Sequence, residues 1–166
     1  PYFRVYTNPD IVGVELAGAM KNVIAIAAGA LDGMGAGVNA KAALLTRGLV
    51  EISRLGQAAG AQNETFAGLS GLGDLVTTCF SPVGRNRCFG QAIGSGVSVD
   101  EALREAHGIV EGVATTRSVV ALAERYGVEM PLTQALYEVI FEGRNQNEAI
   151  ANLMARPLRA ETDEDR

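Results

Sequence analysis

Asp10-Ile-Val-Gly-Val-Glu-Leu-Ala-Gly-Ala-Met-Lys21-Asn22-Val-Ile-Ala-Ile-Ala-Ala28 decides the fold of this chain. The stretch reads as a buried helix interrupted by one cation. Residues three, four and seven apart share a helical face. Around Lys21 that face carries Val14, Ala17, Gly18, Ala25 and Ala28. Side chains this small cannot shield an ammonium, but they leave room for a reactant to approach it. Lysine is almost never fully buried unless paired. Burial disfavours its charged form, which suits a lysine to proton transfer. The plainer alternative is a lysine that snorkels to the surface.

Working outward, the remaining segments also read as helices. Asn8 is expected to cap the first, with Pro9 at its first position. Gly33-Met-Gly35-Ala-Gly37 reads as a flexible link, and Asn39 as the cap of a second helix through Leu45, Leu49 and Ile52, stopping at Gly60. Shorter pieces are expected over 65–69 and 72–80, broken by Gly71, and a further one from Arg85 to Ile93. Ser98-Val-Asp-Glu101 has the form of a capping box. Thr115 or Thr116 is read as the start of a helix closed by Gly127. Pro131 opens the next, which ends at Gly143, and Asn147 starts the last. Only Tyr2–Thr7 alternates like a strand, and one strand cannot stand alone. The expected fold class is all-α.

Two further strings carry chemistry. Gly68-Leu-Ser-Gly71-Leu-Gly73-Asp74-Leu-Val-Thr77-Thr78-Cys79 sets one acid among glycines and apolar residues. Ser81-Pro-Val-Gly84-Arg85-Asn86-Arg87 follows, with two guanidinium forks that match the geometry of phosphate oxygens. Taken singly, Asp74 reads more simply as a helix N-cap, and Arg85 and Arg87 more simply as a solvated turn. A lysine, a lone acid and an arginine pair in one small apolar domain point jointly to an anionic substrate.

Composition narrows the class. The 166 residues make one ordinary domain, and 48% apolar content makes it globular. A net charge of −5 argues against a nucleic-acid surface. Part of that charge lies in 159–166, read as a disordered acidic tail. Cys79 and Cys88 give neither a disulfide framework nor metal spacing, and His107 is the only histidine. No apolar stretch of membrane length runs free of charged residues, so no membrane span and a reduced, cytoplasmic setting are expected. No Gly-x-Gly-x-x-Gly fingerprint occurs, and the spacing of Gly33, Gly35 and Gly37 is wrong for one.

Several strings occur in one order: Asn8-Pro-Asp10, Gly13-Val-Glu-Leu16, Lys21-Asn22-Val, Asn39, Thr46-Arg47-Gly-Leu49, Gly71-Leu-Gly73-Asp74-Leu, Arg85-Asn86-Arg87, Val110-Glu111-Gly112 and Gly127-Val-Glu-Met-Pro131. Together they resemble the C-terminal domain of bacterial-type NAD(P)-dependent glycerol-3-phosphate dehydrogenase, from about Tyr6 to about Arg156. The helical domains of 6-phosphogluconate and related hydroxyacid dehydrogenases share the architecture without these strings.

The resemblance implies a 6-phosphogluconate dehydrogenase-like helical domain over 8–158, with 1–7 as the residual strand of a preceding Rossmann domain. It implies interconversion of glycerol 3-phosphate and dihydroxyacetone phosphate for phospholipid precursor supply, with NAD or NADP bound mainly by that other domain. This chain alone is then expected to be inactive. A homodimer is expected. By the same resemblance Lys21 exchanges a proton with the C2 oxygen of the substrate. Asn22 and Asp74 hold and polarise lysine and substrate, and Thr78 lies near the lysine. Arg85 and Asn86 hold the phosphate, while Arg85, Ile109 and Glu111 touch the nucleotide. Gly84 stands where bacterial members usually have Ser, which removes one hydroxyl donor; its backbone N–H is the expected substitute. No metal is implied. The alternatives are the helical domain of another hydroxyacid dehydrogenase and a non-catalytic helical dimerisation module.

Overall fold

The computed structural model describes residues 2–157. The acidic segment 159–166 lies outside the described residues. The first helix, α1 (Ile11–Gly33), is followed by α2 (Gly37–Ala58), α3 (Asn63–Ala67), a π-helical turn (Leu69–Gly73) and α4 (Asp74–Phe80). Then come α5 (Arg85–Gly94), α6 (Val99–Glu105), α7 (Glu111–Tyr126), α8 (Pro131–Phe141) and α9 (Gln146–Met154). Among the described residues there is no strand. Tyr2–Thr7, expected as a strand, is exposed and irregular, because a strand needs a neighbour to complete its ladder.

The expected caps shift by a residue or two. Asp10, not Asn8, caps α1 by accepting from the Gly13 N–H at 2.9 Å, while Asn8 accepts from the Asp10 N–H. Asn39 lies inside the first turn of α2, which already starts at Gly37. The α7 helix begins at Glu111, ahead of Thr115 and Thr116, whose hydroxyls bond back to carbonyls four residues earlier. Asn145, rather than Asn147, caps α9. Ser98 accepts from Glu101 N–H, and Pro131 opens α8, both as read. Gly127 closes α7 with φ +66°, a left-handed conformation that glycine adopts without steric cost.

Helix α1 is the axle of the bundle, packing against α2, α4, α5 and α7. Met20, Val23, Ile24, Ala25, Ile26 and Ala28 are each at most 2% exposed. Its length and apolarity would by themselves suit a bilayer, but here the neighbouring helices occupy its apolar faces. The closest packing is with α5, which runs parallel to it. Gly29 and Gly33 of α1 face the backbone at Arg87 and Gln91 of α5, and Gly90 and Gly94 of α5 face Ile26 and Ala30 of α1. A methyl on any of these four would collide with opposing backbone atoms. Glycines one turn apart on both helices let the two backbones touch, which sets α5 at a fixed height along α1.

That height decides the site. The N-terminus of α5 comes to the level of Asn22, in the middle of α1. Asp74, the first residue of α4, directly follows the π-helical turn and meets Lys21 of α1. Gly71 within that turn lies so close to the Phe66 backbone that a Cβ could not be accommodated.

Candidate active site

Lys21 emerges midway along α1 with its side chain 22% exposed. Its Nζ donates to Asp74 Oδ2 at 2.5 Å. The snorkelling alternative therefore fails: this is a half-buried, paired lysine. Asp74 is the first residue of α4 rather than its N-cap, because Gly73 precedes the helix. One turn on, Thr78 donates to the Asp74 carbonyl at 2.7 Å and lies 3.4 Å from Asp74 Oδ1. On the same helix Leu75 and Cys79 are buried in the core. Burial pushes the Cys79 thiol up to about 12, so no thiolate nucleophile competes at this site.

Asn22 and Asn86 join this lysine to α5. Asn86 Nδ2 donates to Asn22 Oδ1 at 3.0 Å, and Asn86 Oδ1 accepts from the Gly112 N–H at 2.8 Å. Asn86 is only 6% exposed. Its side chain is thus a clasp between α1, α5 and α7. Arg85, immediately before it, is half exposed and donates to Glu111 Oε1 at 2.6 Å. A pair this exposed contributes at most about 1 kcal/mol, so Arg85 remains available to another anion.

Arg85 and Asn86 open α5, which no side chain caps. The N–H groups of its first turn have no intrahelical acceptor, and the positive end of the helix dipole lies there. Gly84 does not offer the substitute donor expected of it, since its N–H already donates to the Ser81 carbonyl at 3.3 Å. The free donors lie one residue further on.

Ile109, 76% exposed, sits just before α7. A Cβ on the neighbouring Gly108 would fall 3.3 Å from Arg85 Nη1, so this segment lies against the guanidinium. Ile109, Glu111 and Arg85 consequently share one edge. The expected site residues thus fall into a lysine–acid pair, an amide clasp and an edge that carries the Arg85–Glu111 pair with Ile109.

Arg87 departs from the expectation. It does not flank an anion with Arg85; its Nε and Nη2 donate to Asp32 Oδ2 at 2.8 and 2.7 Å. Asp32 also accepts from Lys41 at 2.7 and 3.0 Å. A sequence signal for this cluster existed: Lys41 precedes Leu44, Leu45 and Gly48 at helical spacing, on the apolar face of α2. Glu51 lies on the same face and accepts from the N–H groups of Leu132 and Thr133, capping α8 across the fold. A groove of about 900 Å³ lined by Gly33, Ser95, Asp100, Arg144 and Asn145 holds none of the site residues.

Residues 10–151 match the family model described as the NAD-dependent glycerol-3-phosphate dehydrogenase C-terminus. The chain is 56% identical over 160 residues to a glycerol-3-phosphate dehydrogenase [NAD(P)+] of Geobacillus thermodenitrificans, covering 96% of this chain and 47% of that protein. It is equally identical over 155 residues to the same-named protein of Macrococcus caseolyticus, covering 93% and 47%. A crystal structure of glycerol-3-phosphate dehydrogenase from Coxiella burnetii superposes with a TM-score of 0.90 at 46% identity, over 94% of this chain and 48% of that one. The Saccharomyces cerevisiae enzyme superposes with a TM-score of 0.84 at 30% identity, over 94% and 46%. The chain thus spans about half the length of the curated relatives it matches.

Proposed function

This chain belongs to the NAD-dependent glycerol-3-phosphate dehydrogenase C-terminal family, and from that premise we propose that it is the substrate-handling half of such an enzyme. The reaction interconverts glycerol 3-phosphate and dihydroxyacetone phosphate. The observation that carries this reading is the 2.5 Å Lys21–Asp74 pair placed one residue from the clasp that sets Arg85. The nicotinamide nucleotide, NAD or NADP, would in its reduced form give a hydride to the ketone carbon and in its oxidised form take it back; we place its dinucleotide fold in the half of the relatives' length that this chain does not span. Arg85, Ile109 and Glu111, on their shared open edge, fit a nucleotide presented from another domain.

As dihydroxyacetone phosphate is reduced, charge develops on the C2 oxygen. The Lys21 ammonium gives that oxygen a proton and stabilises its charge beforehand. In the reverse direction the neutral amine takes the proton back. Asp74 fixes the ammonium in place and Thr78 steadies Asp74. Arg85 and the uncapped first turn of α5 hold the phosphate through charge-assisted bonds. Because the phosphate is remote from the reacting carbon, this grip orients the substrate rather than activating it. Asn22 and Asn86 keep the two ends of the site at the right separation.

A cytoplasmic homodimer supplying a phospholipid precursor fits this role. The reading as a non-catalytic dimerisation module is not favoured, because an assembly surface needs no lysine–acid pair set into its interior.

The test is a pair of variants in an enzyme assembled from this chain and a nucleotide-binding half. Lys21→Ala is expected to lower kcat by roughly 10²–10⁴-fold with a modest change in KM. Arg85→Ala is expected chiefly to raise KM, through loss of about 1.5–3 kcal/mol of charge-assisted bonding. Near-normal turnover in Lys21→Ala would overturn the assignment.

A further inference from the structure

The Asp32 cluster lies outside the residues assigned above, yet it grips both sides of the segment that delivers Arg85. Asp32 sits in the last turn of α1. Its carboxylate takes Arg87, the third residue of α5, and Lys41 of α2. The Lys41 ammonium in turn lies 4.5 Å from the centre of the Phe80 ring, and Phe80 is the last residue of α4. Only Ser81-Pro-Val-Gly84 separates Phe80 from Arg85. One carboxylate therefore fixes the end of α4 through a cation–π contact and the start of α5 through a guanidinium.

The cluster is built rather than incidental. The Lys41 side chain is 6% exposed and that of Arg87 is 16% exposed. A lysine so deeply placed must have a counter-charge, and Asp32 serves two cations at once. The glycine contacts between α1 and α5 set the height of α5, but a smooth backbone contact resists rotation weakly. Beside the Asn86 clasp to Asn22 and Gly112, the Asp32–Arg87 bonds are a second off-axis tether that opposes turning of α5 about its own axis. Such a turn would swing Arg85 and the first-turn N–H groups away from a common anion.

We propose that Asp32 is a positioning residue for phosphate recognition, acting through Arg87 and through Lys41 with Phe80. The proposal rests on the reading of Arg85 and the α5 terminus as the phosphate seat. Asp32 does not touch the substrate; it fixes the groups that do. It therefore sets affinity for the phosphate end and leaves proton transfer at Lys21 to other groups.

The test uses inorganic phosphate titrated into the ¹⁵N-labelled chain, following the amide signals of Arg85, Asn86 and Arg87. The unaltered chain is expected to show saturable shifts at these amides. Arg87→Met cuts the α5 arm while keeping Asp32 and Lys41 paired. It is expected to weaken phosphate binding roughly five-fold or more, the factor produced by about 1 kcal/mol of lost bonding. Arg87→Lys should recover part of that loss. Asp32→Asn should act in the same direction; if it fails to fold because Lys41 is left unpaired, Arg87→Met decides. Glu138→Gln, which breaks the distant Arg144–Glu138 pair, should leave binding unchanged. Equal phosphate affinity in Arg87→Met and the unaltered chain, with Arg85→Ala abolishing binding, would overturn the role of Asp32 and leave the phosphate seat standing. Absence of saturable shifts in the unaltered chain would overturn the seat and this inference together.

Discussion

At the scale of single residues, three carboxylates respond to pH in opposite senses. Asp10 is held below its ordinary value by the Thr65 hydroxyl and by the N–H groups of Gly13 and Gln62. For Asp32 burial alone would raise the carboxyl, but the bonds from Lys41 and Arg87 outweigh it and the net direction is down. A group lowered in the fold lends stability that is complete above its unfolded value and is lost as pH falls through its folded one. Glu51 behaves the other way: burial raises it, against the bonds from Leu132 and Thr133. Its contribution is present below the unfolded value and fades as pH rises through the folded one. The urea midpoint is therefore expected to drop as pH falls below the ordinary aspartate value of 3.8. Asp10→Asn should make that drop shallower. Comparing Glu51→Gln with the unaltered chain, the balance should move toward the variant as pH rises. Parallel midpoint curves from about pH 2 to pH 8 for all three proteins would refute this assignment.

Among elements, the α1–α5 contact has the sharpest consequence. Gly90 meets the Ile26 carbonyl so closely that a methyl must push the helices apart. Overpacking of this kind costs about 1–3 kcal/mol, so Gly90→Ala should lower the unfolding free energy by that amount or more. Gly18, also on α1, faces open space: a methyl there would meet nothing within 4 Å. Gly18→Ala should instead stabilise the fold by about 0.5–1 kcal/mol, since glycine is a poor helix former. Equilibrium urea unfolding of the two variants checks the contrast; equal effects would mean that glycine acts here through helix propensity alone. The same contact explains why Arg85 and Lys21 lie near one level. Neither helix carries that information alone.

For the whole molecule, the exposed apolar residues matter most. Ile11 is 73% exposed, Leu69 69%, Val83 83% and Ile109 76%. Leu72, Val76 and Phe80 add a partly exposed row along the π turn and α4. A row of exposed apolar groups at helical spacing, such as Leu69, Leu72, Val76 and Phe80, marks a surface for association. Light scattering of the purified chain is expected to show a dimer or larger species. On the proposed function, the same preparation should not oxidise NADH with dihydroxyacetone phosphate at a useful rate, and adding a nucleotide-binding half should restore the activity. Robust oxidation by the chain alone would overturn the division of labour between the two halves.

The sequence by itself determined the helices, the glycine link between α1 and α2, Ser98 as a helix cap and the candidacy of Lys21, Asp74 and Arg85. Each of these is written in local periodicity or in an ordered string, so neighbours along the chain suffice to show it. Cap positions slipped by a residue or two because Asn8, Asp10, Asn145 and Asn147 all suit a helix start, and only backbone geometry chooses among them. Tertiary structure alone decided that Arg87 turns away from Arg85 to meet Asp32, 55 residues distant. It alone made Asn86 a clasp and Glu51 a cap for α8. The spacing of Lys41 on the apolar face of α2 marks a cation that needs a counter-charge, but nothing along the chain names Asp32 or Arg87 as its partners. What selects the pairing is the backbone contact of Gly29 and Gly33 with Gly90 and Gly94, which brings α5 close enough for those partners to meet.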